Sequence, residues 1–214
     1  MLRKIYVWEF PMRLTHWVIF LAITALCITG YYIGSPFIHS PAGESFTMAN
    51  MRFAHLVSAY IFIVAFLVRV YWGFVGNRYS RWREYVPHNR EEWRGIIDEV
   101  GFYVFIVKWH KACVGHCAWA AFVYLLLYVV FVLEILSGFA LYAQSHYGWT
   151  FTLMGGWIFP YISIPTIRLF HHSVMWLLII FTITHVYIGW FFDLTERNFV
   201  MGSIFSGYKT TDEP

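Results

Sequence analysis

Charge is what this sequence has least of. Only 27 of its 214 residues carry one, 15 Lys or Arg and 12 Asp or Glu, which is 13% where a soluble domain has roughly a quarter. The net charge of +3 leaves no basic stripe for a nucleic-acid partner. Cysteine is scarce too. Cys27, Cys113 and Cys117 are too few for a disulfide framework, and no C-x-x-C-H occurs, which excludes a covalently attached c-type haem. Any cofactor is therefore held without a covalent link. Against these shortages stand 59% apolar and 22% aromatic residues, where the usual apolar share is about 45–50%. A soluble fold of this size would expose more apolar surface than it could hide, and a disordered chain needs the opposite composition. An integral membrane protein remains.

Charge-free runs of about 20 residues mark helices that cross a hydrocarbon core of about 30 Å. Four spans are predicted, at about 14–34, 52–74, 112–142 and 168–192. The first is too long for a signal peptide and lacks a clear small-residue cleavage site, so it reads as retained. The second reaches Phe74 with Arg69 snorkelling to the interface. Three basic residues precede the first span (Arg3, Lys4, Arg13), eight lie from Arg69 to Lys111 and two in the tail, while Arg52 and Arg168 alone occupy the other loops. Thirteen against two places both termini and the 75–111 loop in the cytoplasm, and the 143–167 loop in the periplasm. Within the cytoplasmic loop, Arg90 to Lys108 suits either a helix lying on the membrane surface or an ordinary loop helix. The outer loop, rich in Trp149, Trp157, Phe159 and Tyr161, lies at the interface or docks a partner. The expected architecture is one all-α domain, a four-transmembrane-helix bundle over 1–214.

Ten histidines are present. His39, His88, His110 and His146 fall in loops and read as solvated. His16, His55, His171, His172 and His185 lie in the spans, where an ionisable residue is a functional candidate by default. His16 and His185 sit at the cytoplasmic level; His55 and one of the adjacent pair sit at the outer level. A lone buried histidine is more often a hydrogen-bonded core residue, but four matched by depth on three helices reverse that expectation. At 100° per residue an offset of 14 returns to within about 40° of the same face, and an offset of 13 to about 140° away. His171 and His185 therefore share a face, about 21 Å apart along the axis, and His172 points to a neighbouring helix or the outer interface. Non-haem iron and zinc sites usually recruit carboxylates or cysteines as well, and Glu134 is the one acid inside a span. Two haems fit better, because imidazoles on facing helices take both axial positions. His55 pairs with His171 outside, and His16 with His185 inside. Gly30, Ser58, Ala59, Gly138 and Gly189 would make room for haem or merely for helix contacts. Glu134 either moves protons or pairs with Arg52 or Arg168 near the outer surface. Cys113 and Cys117 are expected as reduced cytoplasmic thiols on one face rather than as a metal site.

With those histidines in place, the flanking text resembles the b-type cytochrome subunit of membrane-bound nickel-iron hydrogenases, a di-haem family related to formate dehydrogenase cytochrome b. The matching stretches are Tyr6 to Trp17 (YVWEFPMRLTHW), Thr29 to Pro36 (TGYYIGSP), Met51 to Pro87, Arg168 to Trp176 (RLFHHSVMW) and Ile204 to Lys209 (IFSGYK). The resemblance implies two b-type haems on His55 with His171 and on His16 with His185, in a bacterial inner membrane. It implies partners as well: an iron-sulfur small subunit, through it the nickel-iron large subunit, and a membrane quinone that receives electrons from the outer and then the inner haem. Where the family opens span three with Gly-His-Asn-Pro-Leu-Ala, Gly115 and His116 are followed by Cys117, Ala118, Trp119 and Ala120; Gly115 and His116 are the expected quinone site. The chain has no nickel-binding cysteine motifs, so hydrogen splitting is expected to belong to another polypeptide. The alternatives are the same haem module serving formate dehydrogenase or thiosulfate reductase, and a haem-free anchor or proton-conducting bundle.

Overall fold

The computed structural model describes residues 3–37, 46–108, 113–146, 148–197 and 199–211. In chain order these hold β1 (Arg3–Tyr6), α1 (Phe10–Gly34), α2 (Thr47–Val75), a 3-10 turn (Trp82–Glu84), α3 (Arg90–Tyr103), α4 (Ala118–Ala143), α5 (Trp149–Met154), a second 3-10 turn (Gly156–Ile158), α6 (Ile164–Glu196), α7 (Val200–Ser206) and β2 (Tyr208–Thr211). The four long helices have mean hydropathies of 1.8, 2.1, 2.4 and 1.9 over their apolar windows, and each is long enough to cross a membrane. Leu21, Phe53, Val64, Leu169 and Ile183 project exposed along them, as apolar side chains do where lipid replaces water. A charge-free window finds only the hydrocarbon stretch. The helices run on past it, taking in Arg13, Arg52, Arg168 and Glu196.

Two elements differ from expectation. The all-α reading missed a two-stranded antiparallel ladder in which Arg3 faces Thr211 and Tyr6 faces Tyr208; four-residue strands are too short to show a period of two. The third long helix begins at Ala118 rather than near 112. Cys113 and Cys117 are not free thiols on a helix face but a disulfide with Cα atoms 5.4 Å apart, in a segment without helix. The α4 N-terminus is capped across the chain by Glu99 of α3, whose carboxylate accepts from the Ala118 and Trp119 N–H groups at 3.0 Å each. Glu99 is also the carboxylate that, among the described residues, lies within 4.8 Å of the two sulfurs.

The chain forms two compact units. The first comprises Met1–His16, Leu67–Val129 and Thr184–Pro214. Its core is Val7, Trp8 and Met12, with Ile5, Trp72, Tyr79 and Val114 packed around them. Trp8 Nε1 donates to Ser203 Oγ at 3.1 Å. Glu9 Oε2 accepts from Trp72 Nε1 and from the Asn77 N–H, both at 2.8 Å. Gly207, at φ 89°, makes the turn from α7 into β2; a Cβ there would strike the Tyr6 ring and the Trp8 carbonyl. The helix expected between 90 and 108 ends at Tyr103 and packs Trp93 on Phe122, 5.7 Å between ring centres. The second unit comprises Trp17–Phe66 and Val130–Ile183. Phe62 and Phe66 meet Phe131 edge-on at 5.0 and 5.6 Å, and Tyr31 meets Trp176 at 6.2 Å.

Candidate functional site

In the second unit α2 presents His55 and α6 presents His171, with ring centres 6.4 Å apart. His55 Nδ1 lies 2.9 Å from Thr29 Oγ1 of α1. That hydroxyl already gives its proton to the Ala25 carbonyl at 2.7 Å, so it accepts from the imidazole. His171 Nδ1 lies 2.9 Å from Ser137 Oγ and 3.1 Å from Glu134 Oε1, both on α4. Ser137 in turn donates to the Glu134 carbonyl at 3.0 Å and must accept from His171. Both rings therefore carry their proton on Nδ1 and keep the Nε2 lone pair for a ligand bond. A Cβ on Gly30 would stand 3.2 Å from His55 Cε1, and one on Gly138 3.3 Å from His171 Cε1. Each hydroxyl that fixes a ring thus precedes a glycine that gives it room, Thr29–Gly30 and Ser137–Gly138. Thr29 and Ser137, which sequence reasoning passed over, are each signalled by the glycine that follows it in the same charge-free run.

In the first unit α1 presents His16 and α6 presents His185, ring centres 6.3 Å apart. Tyr124 of α4 holds its hydroxyl 3.2 Å from His185 Nδ1. The Tyr124 ring also meets His116 edge-on at 5.0 Å, and Trp8 and Tyr85 meet the same His116 ring at 4.6 and 5.1 Å. His116 Nδ1 is buried and has no hydrogen-bond partner among the described residues. Beside it opens a cavity of about 290 Å³ lined by Tyr85, Ile96, Ala118 and Ala121 together with His116. The buried Lys209 ammonium donates to the Gly115 carbonyl at 3.0 Å, and burial pushes its pKa down from 10.5 to about 8. Arg69 is held by two neighbours in the same unit. Its Nε donates to Tyr128 Oη at 3.0 Å and its Nη1 to the Met12 carbonyl at 2.9 Å.

A profile of the prokaryotic cytochrome b561 family matches residues 7–207. The chain belongs to that family. It is 37% identical to a probable Ni/Fe-hydrogenase B-type cytochrome subunit of Cupriavidus necator, over 98% of this chain and 88% of the relative. It is 34% identical to a probable Ni/Fe-hydrogenase B-type cytochrome subunit of Rhizobium leguminosarum bv. viciae, over 97% and 89%. It is 34% identical as well to a probable Ni/Fe-hydrogenase 1 B-type cytochrome subunit of Escherichia coli, over 96% and 90%.

The b-type haem implied for a cytochrome b561 needs ligand nitrogens on both faces of an iron. Metal–imidazole bonds of about 2 Å put the centres of two opposed rings about 6 Å apart, which the separations of 6.3 and 6.4 Å fit. The glycines beside His55 and His171 leave room for those two rings, and ring protons held at Nδ1 are the usual arrangement behind a ligating histidine. Other residues fall elsewhere. His172 bonds the Arg168 carbonyl at 2.9 Å and packs its ring on Gly34 of α1, with its ring centre 6.5 Å from that of His171. Glu134 meets His171 rather than Arg52 or Arg168; its position on α4 is one turn from Ser137, facing α6. His146 is not simply solvated, stacking on Phe151 at 4.8 Å, and His88 bonds Arg83 at 2.7 Å. A Cβ on Gly189 would meet Met201 Sδ at 3.1 Å. His39 and His110 lie outside the described residues.

Proposed function

We propose that this chain is the di-haem b-type cytochrome of a membrane-bound nickel-iron hydrogenase, carrying electrons from that enzyme to a quinone in a bacterial inner membrane. The observation that carries the reading is the repeated pair: two sets of imidazoles, each at the spacing of opposed axial ligands. Haem, when bound, supplies reversible one-electron carriage. The chain's own part is to hold and orient the ligands, through Thr29, Ser137 and Glu134 on one pair and Tyr124 on the other. The names of the relatives point to the hydrogenase partner. The thirteen-to-two basic bias supports cytoplasmic termini and the 75–111 loop inside. On this reading His55 and His171 would hold the haem that takes electrons from the partner's iron-sulfur small subunit, and His16 and His185 the haem that would pass them on to quinone.

The quinone is proposed to bind at His116 and Gly115. The cavity beside His116, its buried and unpartnered Nδ1, and the Tyr124 that touches both His116 and His185 support this placement. An acceptor carbonyl or hydroxyl there would satisfy the stranded nitrogen. The test is to purify the complex through this chain. Two b haems per chain, nickel in the co-purified partner and hydrogen-driven quinone reduction are expected. His116→Ala should leave both haems reducible by hydrogen but stop quinone reduction. A partner without nickel overturns the hydrogenase assignment, and a chain without b-type absorption overturns the cytochrome.

A further inference from the structure

A disulfide stands where the sequence led us to expect two thiols. Cys113 and Cys117 are bridged, with Cα atoms 5.4 Å apart, in a stretch that is neither helix nor strand, and both residues are half-buried rather than sealed in the core. Each of the three residues between them is tied to a different part of the first unit. Val114 packs on the Val7, Trp8 and Met12 core. Gly115 offers its carbonyl to Lys209 Nζ at 3.0 Å, and a Cβ on it would stand 3.0 Å from the Tyr79 ring. His116 is met by the rings of Trp8, Tyr85 and Tyr124 and lines the cavity of about 290 Å³. Cys117 stands immediately before α4, and its carbonyl accepts from the Ala121 N–H at 2.8 Å, as the residue capping a helix does. The bridge thus ties the start of α4 to the chain on the other side of His116.

On the reading that puts the 75–111 loop inside, this bridge borders a compartment that keeps thiols reduced. Disulfides found there are usually catalytic or redox-sensing rather than structural. Resting on that reading and on the quinone site at His116, we propose that Cys113 and Cys117 form a thiol–disulfide exchange site for a cytosolic dithiol, and that exchange there regulates the quinone site. A thiolate of the dithiol attacks one sulfur, the bond between Cys113 and Cys117 breaks, and a mixed disulfide forms that the second thiol of the dithiol resolves. Two electrons and two protons pass in all: the dithiol becomes a disulfide, and Cys113 and Cys117 become thiols. The bridged form holds His116 against its aromatic neighbours, ready for quinone. The reduced form loses the covalent closure and regains chain freedom, which loosens the loop that carries His116. Electrons from hydrogen then pass to quinone readily while cytosolic dithiols are oxidised, and slowly when they are abundant.

The experiment takes the purified complex, uses dithiothreitol as the dithiol, and reads the pair by alkylation and mass spectrometry, with the unbridged Cys27 as internal reference. In the air-oxidised complex Cys113 and Cys117 should resist alkylation, and dithiothreitol should release both without denaturant. After the reductant is removed, the KM for quinone should be raised several-fold, with reduction of the haems by hydrogen unchanged. Reoxidation with diamide should restore the first value. The double variant Cys113→Ser with Cys117→Ser should show the raised KM from the outset and no response to dithiothreitol. A pair that alkylates at once in the oxidised complex, or yields to dithiothreitol only after denaturation, overturns the exchange site. Release of both thiols with an unaltered KM, or a double variant that responds as wild type does, overturns the regulation. Should the double variant not assemble, the reversible change in wild type decides. Failure of the underlying reading looks different: bridged wild type that reduces no quinone, or His116→Ala that reduces it fully, removes the quinone site and with it the regulation, whatever the pair does.

Discussion

Replacing His171 or its neighbour His172 by alanine separates a ligand from a packing residue on the same turn of α6. His171→Ala removes a ring that stands 6.4 Å from His55 and takes away the donor that Ser137 and Glu134 share. Leaving a buried polar acceptor without a partner costs about 1–3 kcal/mol, so two of them add a few kcal/mol to the loss of one axial bond. One haem of two should go, and with it about half of the reduced-minus-oxidised absorbance per chain. His172→Ala breaks one hydrogen bond, to the Arg168 carbonyl at 2.9 Å, worth about 1 kcal/mol, and opens a small gap over Gly34. Both haems should remain, with a slightly lower melting temperature. The assay is haem extracted per chain from detergent-purified complex, with thermal melting beside it. Equal haem loss in the two variants, or loss with His172→Ala alone, refutes the assignment of His171 to the pair.

Glu99→Ala should destabilise the start of α4 by about 2–4 kcal/mol, since it removes two charge-assisted hydrogen bonds from the Ala118 and Trp119 N–H groups; faster hydrogen exchange confined to the first turn of α4 checks this. The Glu92 carboxyl, held by its bond to Arg83 and by the His88 N–H, has its pKa lowered from 4.5 to about 2. A carboxyl depressed on folding lends stability that is present above its unfolded pKa and lost as pH falls through the folded one. The N-terminus of α3 should therefore loosen between about pH 4.5 and pH 2, and Glu92→Gln should remove that pH step from a proteolysis profile of the exposed loop.

Much of the fold is legible in the sequence because its strongest signals are one-dimensional. A membrane span is a run without charge, and the four runs became α1, α2, α4 and α6. The offset of 14 from His171 to His185 is a property of helix geometry alone, and the structure sets each of those rings beside its expected neighbour. Signals that need a second segment were not legible. The start of α4 depends on a carboxylate on α3, 19 residues away in sequence. The disulfide depends on a turn at 113–117 that a continued helix would not make. The β1–β2 ladder joins the two ends of the chain.

Glu134 lies between these cases, and its misreading is the most instructive. An acid inside a span had to meet a polar group, and Arg52 and Arg168 were the cations at its depth. Depth says nothing about azimuth. Glu134 is three residues before Ser137, almost one helical turn, so both face the same neighbour, and Ser137 is already committed to His171. A carboxylate one turn from a hydroxyl that bonds a histidine is therefore within reach of the same imidazole nitrogen. The neighbour that fixed Ser137 fixed Glu134 too, and a residue that looked like part of an outer ion pair became part of the histidine centre.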